Sequence, residues 1–134
     1  MQIRKAIATD ADFIKKIHKQ HKAHIGSFNL FWSWDHYLDG TNKSKFFVIE
    51  GGGFMRYSYS KMYTAYILHE IGVDNETTRK GVGRALFEAL PRPLMLKCNV
   101  DNDRGNAFYE AMGMTKMGKT ATKKGVEQNV WWIT

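Results

Sequence analysis

The sequence predicts a mixed α/β fold, one sheet with helices on both of its faces, and three observations lead there. Runs rich in β-branched and aromatic residues alternate along the chain with stretches of helical periodicity. Glycine, proline and short polar runs mark most of the junctions between them. The chain has 134 residues, 43% of them hydrophobic and 25% charged, a size and balance that suit one ordinary core, so residues 1–134 read as one domain.

The elements follow in order. Gln2 to Ala8 alternates Ile3 and Ile7 with polar neighbours and reads as a first strand. Thr9 or Asp10 offers an N-cap, and Phe13, Ile14, Ile17 and His21 follow at helical spacing toward Gly26, a natural stop. The aromatic stretch Phe28 to Leu38 reads as a second helix ended by Gly40. Lys45–Glu50 and Phe54–Ser60 are β-rich runs around Gly51-Gly52-Gly53, a hairpin, and Met62 to Val73 reads as a central strand. Gly81 to Leu90 places Val82, Leu86 and Leu90 on one helical face, and Pro91 and Pro93 stop it. Leu94 to Val100 is a further buried strand. Asp101 or Asn102 then caps a helix running to Met112 and ended by Gly113. Met114–Lys119 and Val126–Thr134 close the chain as strands around Lys123-Lys124-Gly125. The expected order is β-α-α-β-β-β-α-β-α-β-β, with no repeat and no linker.

Composition narrows the function classes. The one cysteine, Cys98, allows neither an internal disulfide nor a cysteine-rich zinc site, and fits a reducing setting. Charges at Lys5, Asp10, Asp12 and Lys15 deny the N-terminus an apolar signal core, and no stretch has the length of a membrane span. A cytoplasmic protein is expected. The net charge of +7 would suit nucleic acid, an acidic protein surface or a polyphosphate ligand. His18, His21 and His24 lie three apart, a spacing that drifts around a helix; they read as a surface or half-buried row, and no metal is expected.

The most informative segment is Val73 to Leu86. A buried strand ends, a polar loop turns, and Gly81 and Gly83 open an amphipathic helix. The first turn of a helix leaves N–H groups without intrahelical partners, in the positive field of the macrodipole. Glycines let the backbone approach a bulky anion, and Arg79, Lys80 and Arg84 add full charges. Arg79-Lys80-Gly81-Val82-Gly83-Arg84 is a phosphate-binding loop by physical construction. It is neither a dinucleotide fingerprint, because Leu86 stands where the third glycine would be, nor a P-loop.

The strand, loop and Gly-x-Gly helix start, with basic residues just before it, resemble motif A of the GNAT superfamily of N-acetyltransferases. That motif is a Gln or Arg, two residues, a glycine, one residue, then Gly or Ala. Here it reads Thr78-Arg79-Lys80-Gly81-Val82-Gly83, departing at Thr78. One helix and one strand later, Asn102-Asp103-Arg104-Gly105-Asn106-Ala107-Phe108-Tyr109-Glu110-Ala111-Met112-Gly113-Met114 resembles the family's second motif, with Gly105 for its usual alanine and Met114 for phenylalanine. The resemblance implies the GNAT-like acyl-CoA N-acyltransferase fold, a twisted sheet opened into a V between its two central strands. It implies acetyl-CoA as co-substrate, an amine as acceptor, direct attack in a ternary complex, and the pairing of many relatives as homodimers. The cofactor arm would pair with the backbone of Ile71, Gly72 and Val73, where an N–H of Ile71-Gly72 would hold the oxyanion. Its pyrophosphate would lie on the amides from Arg79 to Arg84, with Asn102 as a side-chain contact. Tyr109 would protonate the departing thiolate.

An amine must be neutral to attack, so the site needs a proton acceptor. Strand alternation through Ile67-Leu68-His69-Glu70-Ile71 puts His69 and Glu70 on opposite faces. His69 is the favoured base, Glu70 the second choice, and water the third. Some relatives use a carboxylate on the next strand, a route closed here by Lys97. The resemblance makes the aromatic stretch one wall of the acceptor site, where Trp32 or Trp34 would touch the acceptor, unless the stretch is core alone. Cys98, in an apolar strand, reads as inert core. The rival reading is a nucleic-acid-binding or regulatory module that keeps the fold without turnover, supported by the charge and by Thr78. Against it stand Asn102 and Tyr109, which a binding module does not need.

Overall fold

A computed structural model of the chain describes residues 1–22 and 30–134, and its described side chains resume at Ser33. Gly26, Phe28 and His24, and the side chain of Trp32, lie outside the described residues. The strands are β1 Arg4–Lys5, β2 Lys45–Ile49, β3 Gly53–Ser60, β4 Ala65–Val73, β5 Leu94–Asn99, β6 Thr115–Ala121 and β7 Glu127–Ile133. The helices are α1 Ala11–Gln20, α2 Leu30–Leu38, α3 Val82–Glu88 and α4 Asp103–Ala111. Among the described residues the strands form one seven-stranded sheet in the order β1-β2-β3-β4-β5-β7-β6. The β4–β5 pair is parallel, bridged by α3, and the other neighbours are antiparallel.

Apolar side chains bury both faces. On one face Leu86 and Phe87 of α3 pack with Leu68, Leu94, Leu96 and Trp131. On the other, Ile14 and Ile17 of α1 and Trp34 of α2 pack with Phe46, Val48 and Phe54. The α1 face depends on Gly72. A Cβ built there would stand 2.6 Å from Ile17 Cγ2, so the helix rests directly on the backbone of β4. Gly72→Ala is expected to cost about 1–3 kcal/mol of stability by overpacking. Urea unfolding measures it, and Ile17→Val in the same chain should recover part of the loss.

Three boundaries differ from the sequence reading. The first strand shrinks to Arg4–Lys5 because Asp10 accepts from Nη1 and Nη2 of Arg4, at 2.8 and 2.9 Å, and from the Ile7 N–H at 2.8 Å. That carboxylate draws Ala8–Asp10 into a 3-10 turn, and its side chain does not cap α1 itself. The first helix ends at Gln20, with His21 as its C-cap. The central strand begins at Ala65 and not at Met62. Antiparallel pairing of Ser60 with Ala65 requires a hairpin turn over the residues between them, where Thr64 has φ +51° and Met62 is 84% exposed.

Candidate active site

The site follows from how β4 and β5 part. Their pairing covers only Tyr66 with Leu94 and Ile67 with Met95, although both strands continue. The V expected between the central strands is there. It opens a cleft of about 450 Å³, walled by β4 from Leu68 to Val73, by Lys97 and Cys98 of β5, and by Asn102 and Tyr109 at α4.

Backbone that pairs with no neighbouring strand lines this cleft. The Asp74 N–H donates to the Gly52 carbonyl at 2.8 Å, which makes Gly52 and Asp74 a bonded pair across β3 and β4. Alternation along the antiparallel register then turns Gly72 and Glu70 toward β3, and the N–H and C=O groups of Ile71 and Val73 into the cleft. Of the expected Ile71-Gly72 pair, Ile71 is therefore the residue with an N–H to offer. His21 Nε2 lies 2.7 Å from the Val73 carbonyl; a carbonyl only accepts, so that nitrogen carries the proton.

A β-bulge corrects the placing of His69 and Glu70. Arg56 pairs with Glu70 and Tyr57 with Leu68, which leaves His69 as the extra residue of β4. The bulge breaks the alternation, and His69 and Glu70 turn to the same face of the sheet. His69 Nε2 is 2.6 Å from Ser58 Oγ, and Glu70 Oε1 accepts from Arg56 Nε. Ser58, Arg56 and Phe54 alternate onto one side of β3, and Phe54 packs in the α1 cluster. Crowding by the surrounding protein, with Arg56 the lesser cause, pushes the His69 pKa down from 6.5 to about 4. Its ring keeps a face open to the solvent of the cleft, which works against so large a shift. The direction is what matters chemically: the imidazole is neutral at pH 7. Glu70 is 4% exposed, and among the described residues its Oε2 has no hydrogen-bond partner.

Side chains of α1 brace the loop after β4. Asp74 accepts from Gln20 Nε2 at 2.9 Å, from the Glu76 N–H at 3.1 Å and from Lys16 Nζ at 3.3 Å. These bonds, that of Gln20 first, hold its carboxyl below the usual range. The Asn75 N–H donates back to Gln20 Oε1 at 2.9 Å. Gly81, at φ +78°, turns the chain into α3 in a conformation that other residues seldom adopt. The first bond of α3 runs from the Ala85 N–H to the Gly81 carbonyl, so the amides of Val82, Gly83 and Arg84 have no intrahelical acceptor. The basic side chains lie elsewhere. Arg79 Nη1 donates to the Glu50 carbonyl at 2.8 Å, Arg84 pairs with Glu88 at 3.3 Å, Lys80 is exposed, and Gly83 alone of this loop walls the cleft.

On the far wall, Asn102 caps α4 by accepting the Gly105 N–H at 3.0 Å. A Cβ on Gly105 would stand 2.5 Å from Asn102 Nδ2, which explains glycine in place of alanine there. Asn106, which the sequence reading passed over, accepts from Trp131 Nε1 at 2.9 Å and Asn129 Nδ2 at 3.0 Å, and ties α4 to β7. The Tyr109 hydroxyl makes no hydrogen bond among the described residues, and burial, then Cys98, raises its phenol above the ordinary value. Cys98 is 6% exposed, burial pushes its thiol up to about 11, and it also walls the cleft.

Trp34 departs from its expected place. It is 6% exposed and meets Phe46 edge-on at 5.1 Å, and with Tyr37 it packs in the core beside α1 and not on the cleft. Trp131 is buried and Trp132 half-buried, as neighbours on a strand should be. Among the described residues no group of His, Cys, Asp or Glu could hold a metal, and no helix is long and apolar enough to cross a membrane.

No family model matches the sequence, and no curated protein does. Solved structures match over nearly the whole chain. A Desulfovibrio desulfuricans protein of the GNAT family of acetyltransferases is 16% identical with a TM-score of 0.78, covering 98% of this chain and 97% of its own. The Salmonella typhimurium acetyltransferase yncA, solved with its cofactor acetyl-CoA, is 14% identical at TM-score 0.70, with 100% and 93% covered. A Vibrio cholerae spermidine N-acetyltransferase, SpeG, is 17% identical at 0.77, with 99% and 94% covered. The likeness runs over nearly the full length of each of these chains, and the chain has the fold of the GNAT N-acetyltransferases.

Proposed function

We propose that the protein is an N-acetyltransferase that moves the acetyl group of acetyl-CoA onto an amine by direct attack in a ternary complex. One observation carries the reading: a single open cleft wall leads from the outward backbone of Ile71 and Val73 to Gly83, at the start of a helix whose first amides, of Val82, Gly83 and Arg84, have no intrahelical acceptor. That wall offers strand-like pairing and then anion binding, in the order that an amide-bearing arm ending in a pyrophosphate needs. Acetyl-CoA, when bound, supplies the activated acetyl thioester.

The chain's own groups divide the remaining work. The Ile71 N–H offers a donor for charge developing on an acyl oxygen. Asn102 Oδ1 is committed to its cap, which leaves Nδ2 to donate into the cleft. Tyr109 keeps a proton at its phenol oxygen for the departing sulfur. His69, neutral and beside Ser58, accepts the proton of the amine, while Glu70 is held in its pair with Arg56.

Binding supplies the test. The melting temperature should rise with acetyl-CoA concentration, by mass action. Gly83→Val should abolish the rise, because even a Cβ there stands 3.3 Å from Phe108 Cε1 on the cleft wall. An unchanged melting temperature of the unaltered protein in saturating acetyl-CoA would sink the proposal.

A further inference from the structure

Lys97 has no assigned task in this reading, and its position gives it one. Leu94, Leu96 and Cys98 pack into the cluster beneath α3, so alternation places Lys97 on the opposite face of β5. That is the α1 face, to which the bulge has turned His69 and Glu70. Continuing the register of Ile67 with Met95 sets Lys97 level with His69, where the V begins to open. Val73 and the phosphate loop lie about 13 Å farther along β4, at 3.3 Å per residue. Lys97 thus stands at the reacting end of the cleft, on the side away from α3, where the acceptor amine would approach.

The charges on that side are one-sided. Lys97 is exposed, walls the cleft and belongs to no ion pair among the described residues. Glu70 is the one carboxylate on the described cleft wall, and Arg56 already neutralises it. Along the described wall a polycationic acceptor would meet an unopposed ammonium and no free carboxylate.

We propose that Lys97 selects the acceptor, and that the amine acetylated here carries an anionic group, such as a carboxylate, close enough to its nitrogen to pair with the Lys97 ammonium. This rests on the acetyltransferase reading and sharpens its substrate class. Opposite charges a few ångströms apart in a partly screened cleft discriminate strongly, and like charges repel by a similar amount.

Thiol release from acetyl-CoA is measured with γ-aminobutyrate, butylamine and putrescine, which share a four-carbon amine and end in a carboxylate, a methyl group and an ammonium. A parallel arm uses peptides alike except for Glu, Gln or Lys as second residue, and separates a free small amine from a protein N-terminus as the source. The unaltered protein should favour the anionic member of at least one arm over the cationic one by about tenfold or more in kcat/KM. Lys97→Gln should level the series and Lys97→Glu should invert it, with the KM for acetyl-CoA unchanged. A cationic preference in the unaltered protein, a ratio indifferent to Lys97→Glu, or a KM for acetyl-CoA that rises in step would overturn the assignment. Release with no member of either arm, while acetyl-CoA still raises the melting temperature, would overturn the transfer reading and this inference with it.

Discussion

Arg56→Met is expected to destabilise the protein by about 3–5 kcal/mol, the largest loss we foresee for one substitution. The side chains of Arg56 and Glu70 are 7% and 1% exposed, and they bond each other across the start of the bulge. Removing the guanidinium leaves a carboxylate in the sheet with one oxygen newly bare and the other already without a partner among the described residues. Water cannot reach it cheaply, so the desolvation penalty falls on the folded state alone. Adding Glu70→Met should restore much of the stability, because no charge is then left to bury. Denaturant unfolding of the two variants reads both effects. A loss below about 1 kcal/mol for Arg56→Met would mean that the carboxylate finds solvent, and Glu70 would return as a candidate base.

The same pair marks how much of the site was legible in the sequence. The phosphate loop and the Asn102 cap could be read because their constraints are local. Glycine at Gly81 meets a positive φ within its own turn, and Asn102 bonds an amide three residues on. The bulge at His69 could not be read, since it exists only in the register of β4 against β3, and nothing in Leu68-His69-Glu70 shows that Tyr57 will face Leu68. With the bulge unseen, alternation sets His69 and Glu70 on opposite faces, and nothing local pairs Arg56 with Glu70. Trp34 misled for a related reason. An aromatic stretch has the same composition whether it lines a cleft or a core, and the partner that decides it, Phe46, is far along the chain. The turn before Ala65 carries no glycine or proline, so the apolar run seemed continuous.

Tyr109→Phe is expected to lower kcat by roughly 10²-fold with little change in acetyl-CoA affinity, the usual scale of general-acid catalysis. Burial raises the phenol and so keeps it protonated at neutral pH, which suits an acid but weakens its drive. The departing thiol resembles cysteine, with a pKa of about 8.5, so the proton moves uphill and placement must compensate. The phenylalanine keeps the ring on the cleft wall, and affinity measured by thermal shift should hold. His69→Ala acts on the other substrate. Because the folded protein depresses His69 from 6.5 toward about 4, the imidazole loses its proton at lower pH than usual, and the acidic limb of kcat/KM should fall below pH 6.5. His69→Ala should flatten that limb. Arg56→Met, if it folds, should move the limb upward, since a cation that disfavours imidazolium has gone. A limb that survives His69→Ala but vanishes in Glu70→Gln would transfer the role to Glu70, and a limb indifferent to both would leave the proton to water.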